Sequence, residues 1–171
     1  YIKNDYTNMA LRTIEGTDLG IYYNFESDYG DFDVRYIGTF LDTYKQKASG
    51  GFAALQAAKD NGTIPESIPL KGFGDLLGLD GAYDNKHTLR LSWDKGPYGA
   101  SLVGLKKGSF EQTSLGKKNG VAYVVPTMTT MDLTMSYDFK LNGQKARVRL
   151  AIKNLEDERA PTADRYYGYY A

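Results

Sequence analysis

The chain predicts an all-β protein: an antiparallel, up-and-down transmembrane β-barrel fragment of about six strands with long extracellular loops. Three observations predict it. The first is dyad alternation. Met131, Leu133, Met135, Tyr137 and Phe139 fall on one face of a strand, and Asp132, Thr134, Ser136 and Asp138 on the other, because successive side chains on a strand alternate. Ala146, Val148, Leu150 and Ile152 against Lys145, Arg147, Arg149 and Lys153 repeat the pattern, as do Leu89, Leu91 and Trp93 against Thr88, Arg90, Ser92 and Asp94. The second is that short and long connections alternate along the chain. The third is that aromatic residues gather beside the short ones, as in the interfacial girdle of a spanning barrel.

The first strand is expected over about Thr17–Phe25 and the second over about Phe32–Tyr44, joined by the short Ser27-Asp28-Tyr29-Gly30. The nine residues from Phe32 to Phe40 match the roughly 9–11 that a tilted strand needs to cross a bilayer. Glu15 falls in register with Leu19 on the apolar face unless Gly16 makes a bulge. Asp42 shares the parity of Phe40 and is placed above the bilayer.

The long segment from Lys45 to Lys86 then predicts a short helix over Phe52–Asp60, ended by Asn61-Gly62. Beyond it an extended Ile64–Pro69 stretch and a Gly-rich run of leucines are expected. A third strand is read over Thr88–Trp93 and a fourth over Tyr98–Lys106, joined by Asp94-Lys95-Gly96-Pro97. The long Lys107–Pro126 leads to a fifth strand, Thr127–Phe139. The short Lys140-Leu141-Asn142-Gly143 leads to a sixth, Lys145–Leu155. Short turns with Gly beside Asn, Asp or Pro are hairpin turns. In a barrel the short turns are periplasmic and the long loops lie outside.

Composition sets outer bounds. The chain has 171 residues, enough for one domain, here read as a single barrel segment over residues 1–171. Lys+Arg and Asp+Glu are both 21, and no basic stripe stands out, so no nucleic-acid partner is expected. Mean hydropathy is −0.48, which alone suggests a water-soluble protein. In a barrel that average misleads, because half of each strand faces a polar lumen. Cysteine is absent, which excludes disulfides and thiolate metal sites. No phosphate loop, nucleophile elbow or supported pair of catalytic carboxylates is present, so neither enzyme activity nor a cofactor is expected.

Several stretches resemble TonB-dependent outer-membrane receptors. Asn154-Leu155-Glu156-Asp157 is similar to the family's asparagine-leucine-phenylalanine-aspartate motif near the end of the barrel, with Glu156 where the family has Phe. Pro126 through Phe139 resembles the strand before it, Glu15-Gly16-Thr17-Asp18-Leu19 an earlier strand, and Lys86–Leu91 a strand between. Arg165-Tyr166-Tyr167-Gly168-Tyr169 resembles the segment leading to the final strand.

The resemblance implies the carboxy-terminal part of a 22-stranded barrel, with plug, coupling box and last strand outside this chain. It implies uptake of a scarce nutrient (an iron-siderophore, cobalamin or an oligosaccharide) across the outer membrane of a Gram-negative bacterium. The implied partners are outer-membrane lipid, the rest of the barrel and its plug, the TonB complex through that plug, and a small-molecule ligand. Two other readings are carried: a subunit completing a split barrel, and a soluble carbohydrate-binding β-sandwich.

Individual residues also take two readings. Tyr166, Tyr167 and Tyr169 in the tail either stack on a sugar or aromatic siderophore or form an outer aromatic girdle. Arg90, Arg147, Arg149 and Lys153, with Asp18, Asp33, Asp94, Asp132 and Asp138, share lumen parity. They form either a path for an anion or a network of wall charges, and the network is preferred. His87 reads as a rim residue rather than a metal ligand, since no second His or Cys accompanies it.

Overall fold

A computed structural model describes residues 10–68, 70–115 and 118–162. Six long strands follow one another as an antiparallel meander: β1 (Arg12–Ser27), β2 (Gly30–Gln46), β4 (Asn85–Lys95), β5 (Tyr98–Lys107), β8 (Met128–Leu141) and β9 (Gln144–Ile152). All six expected strands are present. The first two are the longest, at 16 and 17 residues, and β1 begins five positions earlier than its alternation suggested. Within the described residues β1 and β9 are edges that do not pair with each other, so the strands form one open sheet.

Each short connection is a two-residue hairpin turn with its own chemistry. Leu141 pairs with Gln144, and the intervening Asn142 and Gly143 have φ of 51° and 79°. Two positive φ values make a type I′ turn, whose twist matches that of the strands, and Asn-Gly is the pair that tolerates it. Lys95 pairs with Tyr98 around Gly96 (φ 57°) and Pro97, as a type II′ turn requires. Ser27 pairs with Gly30 around Asp28-Tyr29; the Ser27 hydroxyl donates to the Gly30 carbonyl at 3.1 Å and accepts the Tyr29 N–H at 3.2 Å.

The register places the two faces as the alternation predicts. Directly opposed residues on one face run Leu19–Gly38–His87, Ile21–Tyr36–Leu89, Tyr23–Val34–Leu91 and Phe25–Phe32–Trp93 across the first three long strands. The same rows continue as Leu91–Leu102–Leu133–Ile152 and Tyr98–Tyr137–Val148 across the last four. The other face carries Asp18, Asn24, Asp33, Arg35, Arg90, Ser92, Asp132, Asp138, Arg147 and Arg149, interrupted by Tyr22, Ile37, Val103 and Leu105.

The register shifts between Glu15 and Gly16. Glu15 pairs with Thr43 and Gly16 with Leu41, so Asp42 is the extra residue of a bulge on β2. The expectation located the break at Gly16 but assigned Asp42 to the regular strand. The bulge reverses the parity of β2 beyond it, which puts Tyr44 on the mostly polar face beside Ile14 and Leu41.

The two long connections fold. After β2 comes α1 (Gly51–Asp60), where the Asn61 N–H donates to Ala57 and Gly62 follows with φ of 79°, the expected ending. The next stretch is not extended: the Ile68 N–H returns to the Pro65 carbonyl at 3.0 Å in a β-turn. β3 (Gly74–Asp75) pairs with the top of β2. The second long connection contains a small hairpin, β6 (Phe110–Glu111) with β7 (Val124–Val125).

Apart from Gly38 within the sheet, the buried residues among those described lie at this end of the molecule. Phe110 and Val125 are the buried apolar pair, and Gln46 and Gln112 the buried amides. Below these connections the sheet has no core, because among the described residues nothing covers either face there.

After β9 the chain turns at Asn154 (φ 51°), whose side-chain oxygen accepts the Glu158 N–H at 3.0 Å while its amide donates to the Glu158 carbonyl at 2.9 Å. The Asn154 N–H in turn donates to Asp132 at 2.8 Å. Asn154→Ala removes both side-chain bonds and leaves a β-carbon in a left-handed conformation. It is expected to cost about 1–2 kcal/mol, read as faster limited proteolysis between residues 153 and 162 with the hairpin of β8 and β9 unchanged.

Candidate functional site

The apolar face is organised as a band between aromatic borders. At the short-turn end Phe25 and Phe32 stack with ring centroids 4.7 Å apart, Tyr23 leans on Phe25 at 5.6 Å, and Tyr98, Tyr137 and Phe139 form a second run at 5.1 and 5.9 Å. The Trp93 indole N–H donates to the Tyr29 carbonyl at 2.8 Å, and the Lys95 ammonium lies 5.9 Å from the Tyr29 ring. Between the borders the side chains are aliphatic and uncovered: Leu19, Ile21, Leu89, Leu91, Met135, Val148 and Leu150 are all exposed, Val148 to 59%.

The loop-side border is built around a buried glycine. Gly38 leaves a gap in the face that the rings of Tyr36, Phe40 and His87 close. His87 Nδ1 lies 2.8 Å from the Tyr36 hydroxyl, its ring stacks on Tyr36 at 6.0 Å, and it meets Phe40 edge-on at 5.3 Å. His87 is thus an aromatic-border residue with a hydroxyl partner. Among the described residues no group of three His, Cys, Asp or Glu side chains could hold a metal ion.

The charges of the opposite face are largely engaged with the wall. Arg147 and Asp138 form a two-pronged pair with one bond at 2.6 Å, and Arg35 pairs with Asp33 at 2.8 Å. Asp18 accepts from the Thr39 hydroxyl at 2.7 Å, Asp132 from the Asn154 N–H, and Arg90 donates to Ser92 at 3.2 Å. Of the four cations named from the sequence, Arg147 is thus paired with a carboxylate, while Arg90 bonds a hydroxyl and stands directly opposite Arg35.

The long connections are tied into one cap. The Asp80 N–H donates to the Glu111 carbonyl at 2.9 Å and the Glu111 N–H to Gly78 at 2.7 Å. Asp80 accepts from Thr113 with both oxygens, from the N–H at 2.8 Å and from the hydroxyl at 2.5 Å. The Lys71 ammonium donates to the Thr113 carbonyl. Tyr83 meets Phe110 edge-on at 5.6 Å, and burial pushes the Tyr83 phenol up from its usual value. The Gly108 N–H closes on the Asn85 carbonyl at 2.9 Å, anchoring the second connection to the top of β4.

Under this cap, on the mostly polar face, lies a cavity of about 780 Å³. Its floor is Ile14, Thr39, Leu41 and Tyr44 from β1 and β2; its roof is Leu76, Leu79, Ala82 and Tyr83; Lys71, Asp80, Asn85 and Lys86 stand at its margin. Arg12 holds the floor in place, its guanidinium 5.4 Å from the centre of the Tyr44 ring and bonded to Gln46 at 2.9 Å.

The sequence reading did not find this cavity. Strict alternation sends Tyr44 to the apolar face, and only the bulge at Asp42 brings it round. The available signal was a charged residue, Asp42, standing in the apolar parity of β2. The three tail tyrosines singled out as ligand contacts, Tyr166, Tyr167 and Tyr169, lie outside the described residues.

No protein-family model, curated protein or solved structure matches the chain.

Proposed function

We propose that this chain supplies wall and outer loops to a larger outer-membrane β-barrel receptor of the TonB-dependent kind, taking up a scarce small molecule in a Gram-negative bacterium. One observation carries the reading. Among the described residues a single sheet presents an aromatic-bordered aliphatic band on one face and most of its charges on the other, and both its edge strands are open. Uncovered aliphatic side chains over six strands are stable when hydrocarbon covers them. Open backbone edges at membrane depth leave unpaired N–H and C=O groups, each costing several kcal/mol, so further strands must complete the wall.

The aromatic borders then mark the two interfaces, the hairpin turns face the periplasm, and the cap formed by the two long connections faces outward. Function in this reading is recognition followed by a conformational step, not covalent chemistry. Iron-siderophores, cobalamin and oligosaccharides are the substrate classes the resemblance implies, and the plug and the TonB complex are the partners that would drive release.

The open edges equally suit a subunit that completes a split barrel with a second chain. A carbohydrate-binding β-sandwich has less support, since a sandwich covers its apolar face with a second sheet about 10 Å away, and the small β6–β7 pair is the only other sheet among the described residues.

The test is extraction of the native species from membranes. The expected result is a particle soluble only in detergent or lipid, in which this sequence is part of a polypeptide or complex much larger than 19.0 kDa. A monodisperse 19.0 kDa species in plain buffer rejects the membrane reading.

A further inference from the structure

We propose that the cavity beneath the loop cap binds an amphipathic organic anion: a compact apolar or aromatic body carrying one carboxylate, sulfonate or phosphate group. Its placement on the inner wall rests on the receptor reading above.

The interior and the margin of the cavity differ in chemistry. Ile14, Leu41 and Tyr44 below and Leu76, Leu79 and Tyr83 above present carbon surface to one another. On a face otherwise dominated by charges and hydroxyls, that concentration of apolar groups is local, and it exists because the Asp42 bulge rotates Tyr44 into it. Ile14 remains 56% exposed there, so the floor is open to a ligand and not filled by the loop. A volume of about 780 Å³ falls within the roughly 300–1,000 Å³ typical of small-molecule sites.

The margin carries two cations and one anion. The Asp80 carboxylate directs both oxygens to neutral Thr113 donors and keeps its charge, which leaves a net single positive charge at the opening. Lys71 and Lys86 are both exposed at the opening. Lys71 bonds a neutral carbonyl, so its charge is uncompensated by that contact. Lys86 stands on β4 directly opposite Thr39 of the floor on one side and Lys107 on the other. Lys71 and Lys86 are the two cations that line the cavity, and an anion docked at the opening meets both. A ligand therefore enters with its apolar body on Ile14, Leu41 and Tyr44 and leaves its anionic group at the two lysines. A neutral oligosaccharide fits less well, because it needs rows of donors and acceptors where the cavity offers aliphatic carbon.

The experiment titrates the full native species carrying this chain, held in nanodiscs, with 2-naphthoate and with the neutral 2-naphthalenemethanol, followed by calorimetry. Naphthoate is expected to saturate one site and to bind about tenfold tighter than the alcohol. Lys86→Gln is expected to abolish most of that preference and leave alcohol binding unchanged, while Lys140→Gln, beside the third hairpin turn, changes neither. Absence of saturable naphthoate binding overturns the proposal, as does equal affinity for acid and alcohol or equal loss of both in the Lys86 variant.

The two readings fail separately. A lipid-embedded species that ignores naphthoate removes the cavity assignment and leaves the receptor. A buffer-soluble species that binds naphthoate with the lysine dependence removes the receptor and leaves the cavity.

Discussion

If the aliphatic band lies in a bilayer, as proposed, replacing Leu91 by arginine is expected to destabilise the protein by about 2–4 kcal/mol. Leu91 lies inside the aliphatic band, opposite Val34 on β2 and Leu102 on β5, two residues from the Phe32–Trp93 row and four from the Gly38–His87 row. A guanidinium there has no water and no partner on its own face. The same substitution at Leu141, beside the third hairpin turn, reaches the interface and is expected to cost about 0–1 kcal/mol. Ser92→Arg, one residue along on the charged face, should be close to neutral. Reversible urea unfolding into lipid vesicles measures all three. Equal penalties at Leu91 and Leu141 would show a protein partner on this face instead of a bilayer, because only a bilayer grades the cost by depth.

The second large effect is expected at Gly30, the first residue of β2. Its φ of 124° is nearly closed to residues with a β-carbon, and a β-carbon built there would sit 2.6 Å from both the Asp94 carbonyl and the Trp93 indole nitrogen. Gly30→Ala therefore strains the backbone and pushes Trp93 off the Tyr29 carbonyl. Strain of about 1–3 kcal/mol and a lost hydrogen bond of about 1 kcal/mol give an expected loss of roughly 2–4 kcal/mol. Trp93 is the only tryptophan in the chain, so its fluorescence reports the site directly. The expected signature is a red-shifted emission in the folded state together with an earlier unfolding midpoint. A lower midpoint with unaltered emission would place the damage elsewhere.

These two residues also show what a sequence reveals about such a chain. Leu91 was legible as a band residue because alternation is local: three successive apolar odd positions suffice to orient β4. The hairpin turns were legible for the same reason, since Asn142-Gly143 and Gly96-Pro97 carry their backbone preferences in two residues. The bulge at Asp42 was not, because it is defined by the pairing of β2 with β1, about 27 residues away in the chain. The early start of β1 at Arg12 was hidden likewise: above the band its residues, Arg12 to Gly16, no longer alternate in polarity, and only the pairing with Thr43–Gln46 makes them strand. The cavity inherited both difficulties. Its floor comes from the bulged segment and its roof from a connection whose leucines read as generic apolar loop. The cap that joins Asp80 to Thr113 is a contact between two connections that no periodicity describes.

The meander has a final consequence, for how the molecule is made. Every long strand pairs only with the long strands immediately before and after it in the chain, so no ladder waits for a distant segment to arrive. Three of the five ladders are closed by two-residue turns and carry a small loop-closure cost; the other two each require a connection of 20 to 38 residues to be drawn in. Assembly can therefore proceed as three ready-made ribbons zipped side by side, with the slow steps being the two joins that also create the cap. The order of events is thereby coupled to the cavity: the roof over Tyr44 cannot close until the β1–β2 ribbon has found β4, so a nascent chain acquires its cavity only after its sheet has begun to grow.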